Sequence, residues 1–440
     1  MLTYLTILLR LLVSPGDPEA PSCRIRATPV TGGDEATGST ATAANRRSYL
    51  LCLALLVWSA TGSSGVCGQT QAGSLASLPG LSERAARAQV NGKKEEAIRL
   101  YMQALEVRPR WPEGWLRAGM LLADSKDYAR AEAAFKHLLQ IEPENGRGWV
   151  LLGMVEYELG RFDDALQHLQ LGRTLGIGNA ELEKVATFHA ALILIWKGEF
   201  LVAQRLLMRV ARAGAEDPDL IMALGLAALR ISTWPDNLKA FEKPLVNRVG
   251  LIEYQAAHTP SLDSLAAYRD LVAEFPRVPS VHYAFGNFLL NAGQYQQGLE
   301  QMRQELEINP RDVLARLQLA MAYIEVNEPE KALPHAEEAT HLDPKLFASH
   351  YALGWACYKL GRNDQAIVEL ERAVHLAPDS PQAHFALSQA YMRAGRKADV
   401  KRERGIFARL QQSEAARNRP TGAKEQPGSP AENPSSCPPL

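Results

Sequence analysis

Pro276, Pro310, Pro344 and Pro378 stand 34 residues apart along a chain of 440, and each closes a stretch of interleaved Ala, Leu and Glu long enough for two short helices. Proline lacks the backbone N–H and its ring crowds the preceding turn, so it cannot continue a helix. At constant spacing it punctuates a helical pattern at constant spacing. A unit this short cannot hide its apolar stripe alone and must lean on its neighbours. The ladder therefore restricts the chain to an all-α fold, a superhelical solenoid of stacked antiparallel helix pairs.

With the closing proline numbered 32, the unit ending at Pro378 places Leu353 at position 7, Gly354 at 8, Gly361 at 15, Ala366 at 20, Leu370 at 24 and Ala373 at 27. Positions 4, 7, 8 and 11 share one stripe of the first helix, and 20, 24 and 27 one stripe of the second. Small residues at 8 and 20 let the two backbones approach. The pattern returns as Trp115, Ala118, Gly119, Leu122, Ala131 and Phe135 before Pro143, as Leu81, Ala85, Gly92, Ala97, Tyr101 and Ala104 before Pro109, and as Trp149, Leu152, Gly153, Gly160, Ala165 and Leu169, where Ile177-Gly178 replaces the proline. These motifs resemble the tetratricopeptide repeat over roughly residues 78–410. The resemblance implies a right-handed superhelix of about nine or ten helix pairs.

The register slips in the middle. Pro109 to Pro378 is three residues short of eight repeats, so a connection between Pro218 and Pro276 must be irregular. Leu220, Leu224, Gly225 and Ala228 still suit a first helix, whereas Trp234-Pro235-Asp236 and the stretch around Pro244 and Gly250 do not suit a second. We expect a repeat array over 78–217, irregular or degenerate repeats over 218–278 that could serve as a hinge, and a second array with a capping helix over 279–412.

Outside the arrays, residues 1–45 and 413–440 are rich in Pro, Gly and small residues and predict disorder, although Met1–Val13 is itself apolar apart from Arg10. Between them, 46–68 joins Arg46-Arg47, an apolar run Tyr49–Trp58 and a small-residue stretch, the layout of an export signal, with cleavage expected after Gly62 or Gly68. The run is shorter than the roughly 20 apolar residues that span a bilayer. The expectation is an exported, periplasmic or envelope-associated protein of bacterial type, with a cytoplasmic location as the alternative. Membrane contact would come only through the N-terminal apolar segment if it stays uncleaved.

The formal net charge is −1, leaving no basic excess to neutralise phosphates, so nucleic acid is not an expected partner. Five cysteines form no framework, and Cys357 falls at a buried repeat position. His282, His350 and His384 recur at position 4, and a periodic histidine cannot converge with others on one metal ion, so packing between helices is expected in place of ligation. No metal, no cofactor and no catalytic constellation is expected, and the chain reads as no enzyme.

What the resemblance implies about binding is more specific. In this family, first helices line a concave face on which positions 2, 5, 9 and 12 point inward. Carried over, these give a partner-binding groove of Tyr283, Asn287, Leu317, Met321, Ile324, Tyr351, Trp355, Tyr358, Phe385 and Met392, with Leu116, Met120, Arg147, Val150, Met154 and Tyr157 at the equivalent N-terminal positions. Each large ring offers about 150–250 Å², so such a stripe suits an apolar peptide or an amphipathic partner helix. Trp355 is the expected hot spot. The cations of a carboxylate clamp are missing beside Asn287. The expected function is a noncatalytic scaffold or assembly factor for a protein or peptide partner; the alternative is a regulatory subunit of an envelope enzyme or transport complex.

Overall fold

The computed structural model describes residues 78–214, 216–258 and 262–418. Among them are nineteen α-helices and no strand. Disorder expected for 1–45, the export segment 46–68, four of the cysteines and the tail beyond 418 lie outside the described residues.

Residues 78–109 form one unit, a hairpin of α1 (Leu78–Val90) and α2 (Lys94–Val107) closed around Leu81, Ala85, Ala97, Tyr101 and Ala104. Residues 110–418 form the other. Its ordinary pairs are α3 (Pro112–Asp124) with α4 (Tyr128–Ile141), α5 (Gly146–Glu158) with α6 (Phe162–Leu175), and α7 (Ala180–Trp196) with α8 (Phe200–Ala213). After the middle come α12 (Val281–Asn291) with α13 (Tyr295–Ile308), α14 (Val313–Glu325) with α15 (Pro329–Leu342), α16 (Phe347–Lys359) with α17 (Asn363–Leu376), and α18 (Pro381–Arg393) with α19 (Lys397–Asn418).

Local chemistry sets these ends. Two residues past a closing proline, Asn145, Asp312 and Ser380 cap α5, α14 and α18 by accepting from the backbone N–H of Gly148, Ala315 and Ala383, which satisfies donors the first turn leaves open. In every pair whose turn is described, the chain passes through the left-handed region at position 15, as at Gly361 (φ 76°), and Lys126 and Asn327 take the same conformation where glycine is absent. Within a pair, Gly354 sits against Leu370 with no room for a Cβ unless that leucine shifts. The apolar stripes close over Phe135, Leu138, Leu152, Leu169, Leu182 and Leu192, all buried. The last helix runs to Asn418, past the boundary expected at 412, because Ser413 to Arg417 contains no breaker and the next proline is Pro420.

The irregular middle has a definite form. First helix α9 (Pro218–Ala228) is followed by residues 229–242, a strap whose only helical turn is the 3₁₀ segment Pro235–Asn237. Then come α10 (Lys243–His258) and α11 (Leu262–Glu274), which ends before Pro276. Helix α10 therefore belongs by spacing to the unit that Pro276 closes, yet it also packs on α9 where a second helix would lie. Gly225 and Gly250 make this crossing possible: a Cβ on either would overlap backbone carbonyls of Val246 and Ile221 respectively. Thus α9 has no second helix of its own and borrows α10, which accounts for the register slip and leaves nine pairs plus one odd helix among the described residues.

Candidate partner-binding site

Position 4 is the fastening between successive units. His350 points Nε2 at the Pro344 carbonyl (2.9 Å) and Nδ1 at Glu369 Oε2 (2.7 Å). His384 repeats this with Pro378 (2.8 Å) and Glu403 (2.6 Å), and His282 with Pro276 (3.2 Å) and Gln301 (2.8 Å). A carbonyl only accepts, so Nε2 carries a proton in each. Other donors do the same work elsewhere: Trp149 Nε1 reaches the Pro143 carbonyl at 2.8 Å, and Arg316 Nη2 the Pro310 carbonyl at 2.5 Å. The recurring histidines tie each first helix to the preceding unit's end. No group of three or more His, Cys, Asp or Glu among the described residues is placed to hold a metal ion. Cys357 is buried within α16, and burial pushes its thiol up to about 11, out of the reactive range.

The ten groove positions divide into two sets. Tyr283, Asn287, Leu317, Ile324, Tyr351 and Trp355 are buried, Tyr283 at 2% exposure and Trp355 at 7%, while Met321, Tyr358 and Phe385 are half-buried and Met392 is 48% exposed. The cause is lateral packing: consecutive first helices α12, α14, α16 and α18 touch one another, so a residue aimed to the groove side meets the next first helix. Asn287 is further occupied by Gln204 and Gln318, at 3.3 and 3.5 Å. Of the N-terminal positions, Leu116, Met120, Val150, Met154 and Tyr157 are buried and Arg147 is half-buried. Met321 on α14 and Phe385 near the start of α18, the latter 5.5 Å from Phe407, are partly covered, and beside them stands a rim at the C-terminal ends of α16 and α18. There Tyr358 stacks on Trp355 (5.0 Å between rings) beneath the Arg393 guanidinium (3.9 Å from its centroid), and Arg404 Nη2 lies 3.5 Å from Met392 Sδ.

Sequence reasoning missed a charged node. Arg230, just after α9 and in the left-handed conformation (φ 55°), donates through Nη1 to Asp312 Oδ1 (2.7 Å) and through Nη2 to Ser280 Oγ (3.0 Å) and Glu305 Oε1 (3.2 Å). Its guanidinium also covers the Tyr283 ring at 3.8 Å, which withdraws that residue from any groove. Burial raises the Glu305 carboxyl despite its backbone partners and Arg230. Burial also acts on Asp312, but hydrogen bonds and charge from Arg230 outweigh it and hold that carboxyl below the usual aspartate range. Nearby, buried Glu253 on α10 accepts from Gln204 Nε2 (2.8 Å) and from the Tyr268 hydroxyl, joining α8, α10 and α11, and its carboxyl is raised by burial. No local pattern signals either cluster, because the partners of Arg230 lie 50, 75 and 82 residues ahead.

Family models agree with the repeat reading. Tetratricopeptide-repeat family models match residues 83–146, 121–174, 313–338 and 354–395. The human protein O-mannosyl-transferase TMTC3 is 24% identical over 251 residues, 54% of this chain, and the chain spans only 27% of that relative's length. Among solved structures, MamA from Desulfovibrio magneticus RS-1 is 20% identical, with 39% of this chain and 98% of that one covered and a TM-score of 0.33. Yeast Tom70 is 15% identical, with 77% and 95% covered and a TM-score of 0.28. With helix pairs of the expected length, small residues at their crossings and four matching stretches, the chain belongs to the tetratricopeptide repeat family.

Proposed function

We propose that this chain is a noncatalytic scaffold that grips a peptide or partner helix at the rim formed by Tyr358 and Met392. The observation that carries the reading is the composition of that rim: accessible aromatic and thioether groups lie directly under Arg393 and Arg404, with Lys359 beside them 6.0 Å from the Trp355 ring. Apolar anchors edged by cations fit a segment that combines apolar side chains with acidic ones. Trp355, buried behind Tyr358, acts as the back wall that fixes the tyrosine ring. Affinity capture from an extract with the full chain and with Tyr358→Ala tests this. Loss of roughly tenfold to a hundredfold in affinity for the captured partner, with the melting curve kept, is expected for a hot-spot ring; unchanged affinity overturns it. Turnover by the purified chain that vanishes on mutating one polar residue would replace the scaffold with an enzyme.

Export through the 46–68 segment belongs to the same proposal and rests on its sequence layout alone. N-terminal sequencing should find the mature chain beginning after Gly62 or Gly68. A cytosolic chain with residue 1 intact would overturn it.

A further inference from the structure

The strap 229–242 is an interruption that helix pairing does not require, and it carries a tryptophan into a prepared place. Trp234 lies 4.7 Å from Phe162, 5.6 Å edge-on to Tyr157 and 6.0 Å from Trp196, whose ring it nearly parallels at 16°. Those three rings come from three elements: the end of α5, the start of α6 and the end of α7. They also touch one another, with Tyr157 to Phe162 at 5.7 Å and Phe162 to Trp196 at 5.2 Å, and Tyr157 is backed by His189 of α7 at 4.9 Å. These contacts among helix residues are made independently of any atom of the strap. The cradle so formed remains open on one side, since Trp196 is 42% exposed and Trp234 only half-buried.

The manner of docking is that of a bound peptide. Ser232 Oγ donates to the Trp196 carbonyl at 2.6 Å, burial and then the charges of Glu158 and Asp236 raise the Tyr157 phenol, and the segment's own backbone bonds are short-range only: Thr233 N to Ile231 O, Asn237 N to Trp234 O, Leu238 N to Pro235 O and Glu242 N to Lys239 O. Arg230 and buried Leu238 pin the strap at its two ends. Between them Trp234, in extended backbone just before the 3₁₀ turn Pro235–Asn237, rests on an aromatic surface through side-chain contacts. A core tryptophan would be enclosed; this one is laid on.

We propose that the cradle of Tyr157, Phe162 and Trp196 is a second binding site, separate from the rim at α16 and α18. It takes a partner segment in which tryptophan is followed by a proline-initiated turn, and Trp234 fills it until such a segment displaces it. A tethered occupant acts at an effective concentration in the millimolar range. The wild-type chain therefore binds a competing segment weakly, and removing Trp234 unmasks the site.

The test uses a labelled peptide of residues 231–239, titrated by fluorescence anisotropy onto the full chain, onto Trp234→Ala, and onto Trp234→Ala combined with Phe162→Ala. The expected result is binding at least tenfold tighter to Trp234→Ala than to wild type, lost again when Phe162 is removed. Equal binding to wild type and variant, or none to a folded variant, overturns the proposal. So does a Trp234→Ala chain that no longer folds, because a displaceable strap must leave the fold standing. A dimer that disappears in Trp234→Ala would mean that the cradle takes the strap of a second copy, and would overturn the partner reading. In wild type, amides 233–238 should exchange with solvent faster than those of α7 and α9; exchange as slow as theirs counts against displacement.

Discussion

Replacing Arg230 with methionine separates the charge of this residue from its packing. Methionine keeps an unbranched stem over Tyr283 and removes the guanidinium, leaving Glu305 (side chain 0% exposed) and Asp312 (4%) without their counter-ion. Breaking a buried ion pair by removing one partner costs about 3–5 kcal/mol. Here the lower end applies, because Glu305 keeps the N–H groups of Ser280 (2.8 and 3.0 Å) and Tyr283 (3.2 Å), and Asp312 keeps that of Ala315 (3.0 Å). We expect a loss of about 3 kcal/mol at pH 7.5, read as faster hydrogen exchange across α12–α14 and an earlier urea transition. Its pH dependence has a definite sign. Without Arg230 both carboxyls are buried beside a like charge, so their folded values rise above their unfolded ones, and each then favours the folded state more as pH falls. The gap between variant and wild type should therefore narrow from pH 7.5 to pH 5. A loss under about 1 kcal/mol, or a gap that does not change over that range, would refute the reasoning.

Three other perturbations follow from the same geometry. Gly250→Ala forces a Cβ onto the Ile221 carbonyl and should cost about 2–3 kcal/mol or more, whereas Gly354→Ala meets the buried Leu370 side chain, which must shift, and should cost less, about 1–2 kcal/mol; paired urea melts decide. Removing the fastening at His384 with His384→Leu strips the Pro378 carbonyl of its donor and leaves buried Glu403 with Arg402 Nε (2.9 Å) alone, and should cost about 1–3 kcal/mol, with earlier exchange in α18 and α19 than in α12. Glu253 has a folded value raised above its unfolded one, so the stability it contributes is fully present below the ordinary glutamate range and is lost as pH rises through the folded value. Glu253→Gln should therefore melt higher than wild type at pH 7.5, by an amount that shrinks toward pH 4.5; a variant that melts lower at pH 7.5 would contradict this.

Periodic features were legible in the sequence because they are local and repeated. Pro276 to Pro378 fixed the unit length, Gly354 and Ala366 the crossing, and the position-4 histidines their role in packing. Whether the groove positions stay accessible was not legible. A template says which side of a first helix Tyr351 or Trp355 occupies, but its exposure depends on how closely α14 and α18 approach α16, and that distance is set by packing between units. Trp234 was read only as a break in the pattern, since its cradle is assembled from Tyr157, Phe162 and Trp196, which share no period with it. Charges behave similarly: Arg230, Glu305 and Asp312 look like ordinary helix-end residues until the chain has folded.

The middle of the long unit thus holds two devices of opposite character. A hinge there would have to open either the α9 and α10 crossing, where backbone touches backbone at Gly225 and Gly250, or the Arg230 node, where two buried carboxylates depend on one cation. Neither yields gradually. A close-packed crossing has no intermediate spacing at which contacts survive, and a buried charge separated from its partner costs several kcal/mol before any new interaction forms. Adjustment of angle between α8 and α12 is accordingly disfavoured, and the Gln204 bonds to Glu253 and Asn287 reinforce the brace. The strap differs because its central residues hold on by ring contacts and one hydroxyl bond. Loosening it disturbs neither the crossing nor the node, so exchange of Trp234 can proceed while the helices on both sides keep their places.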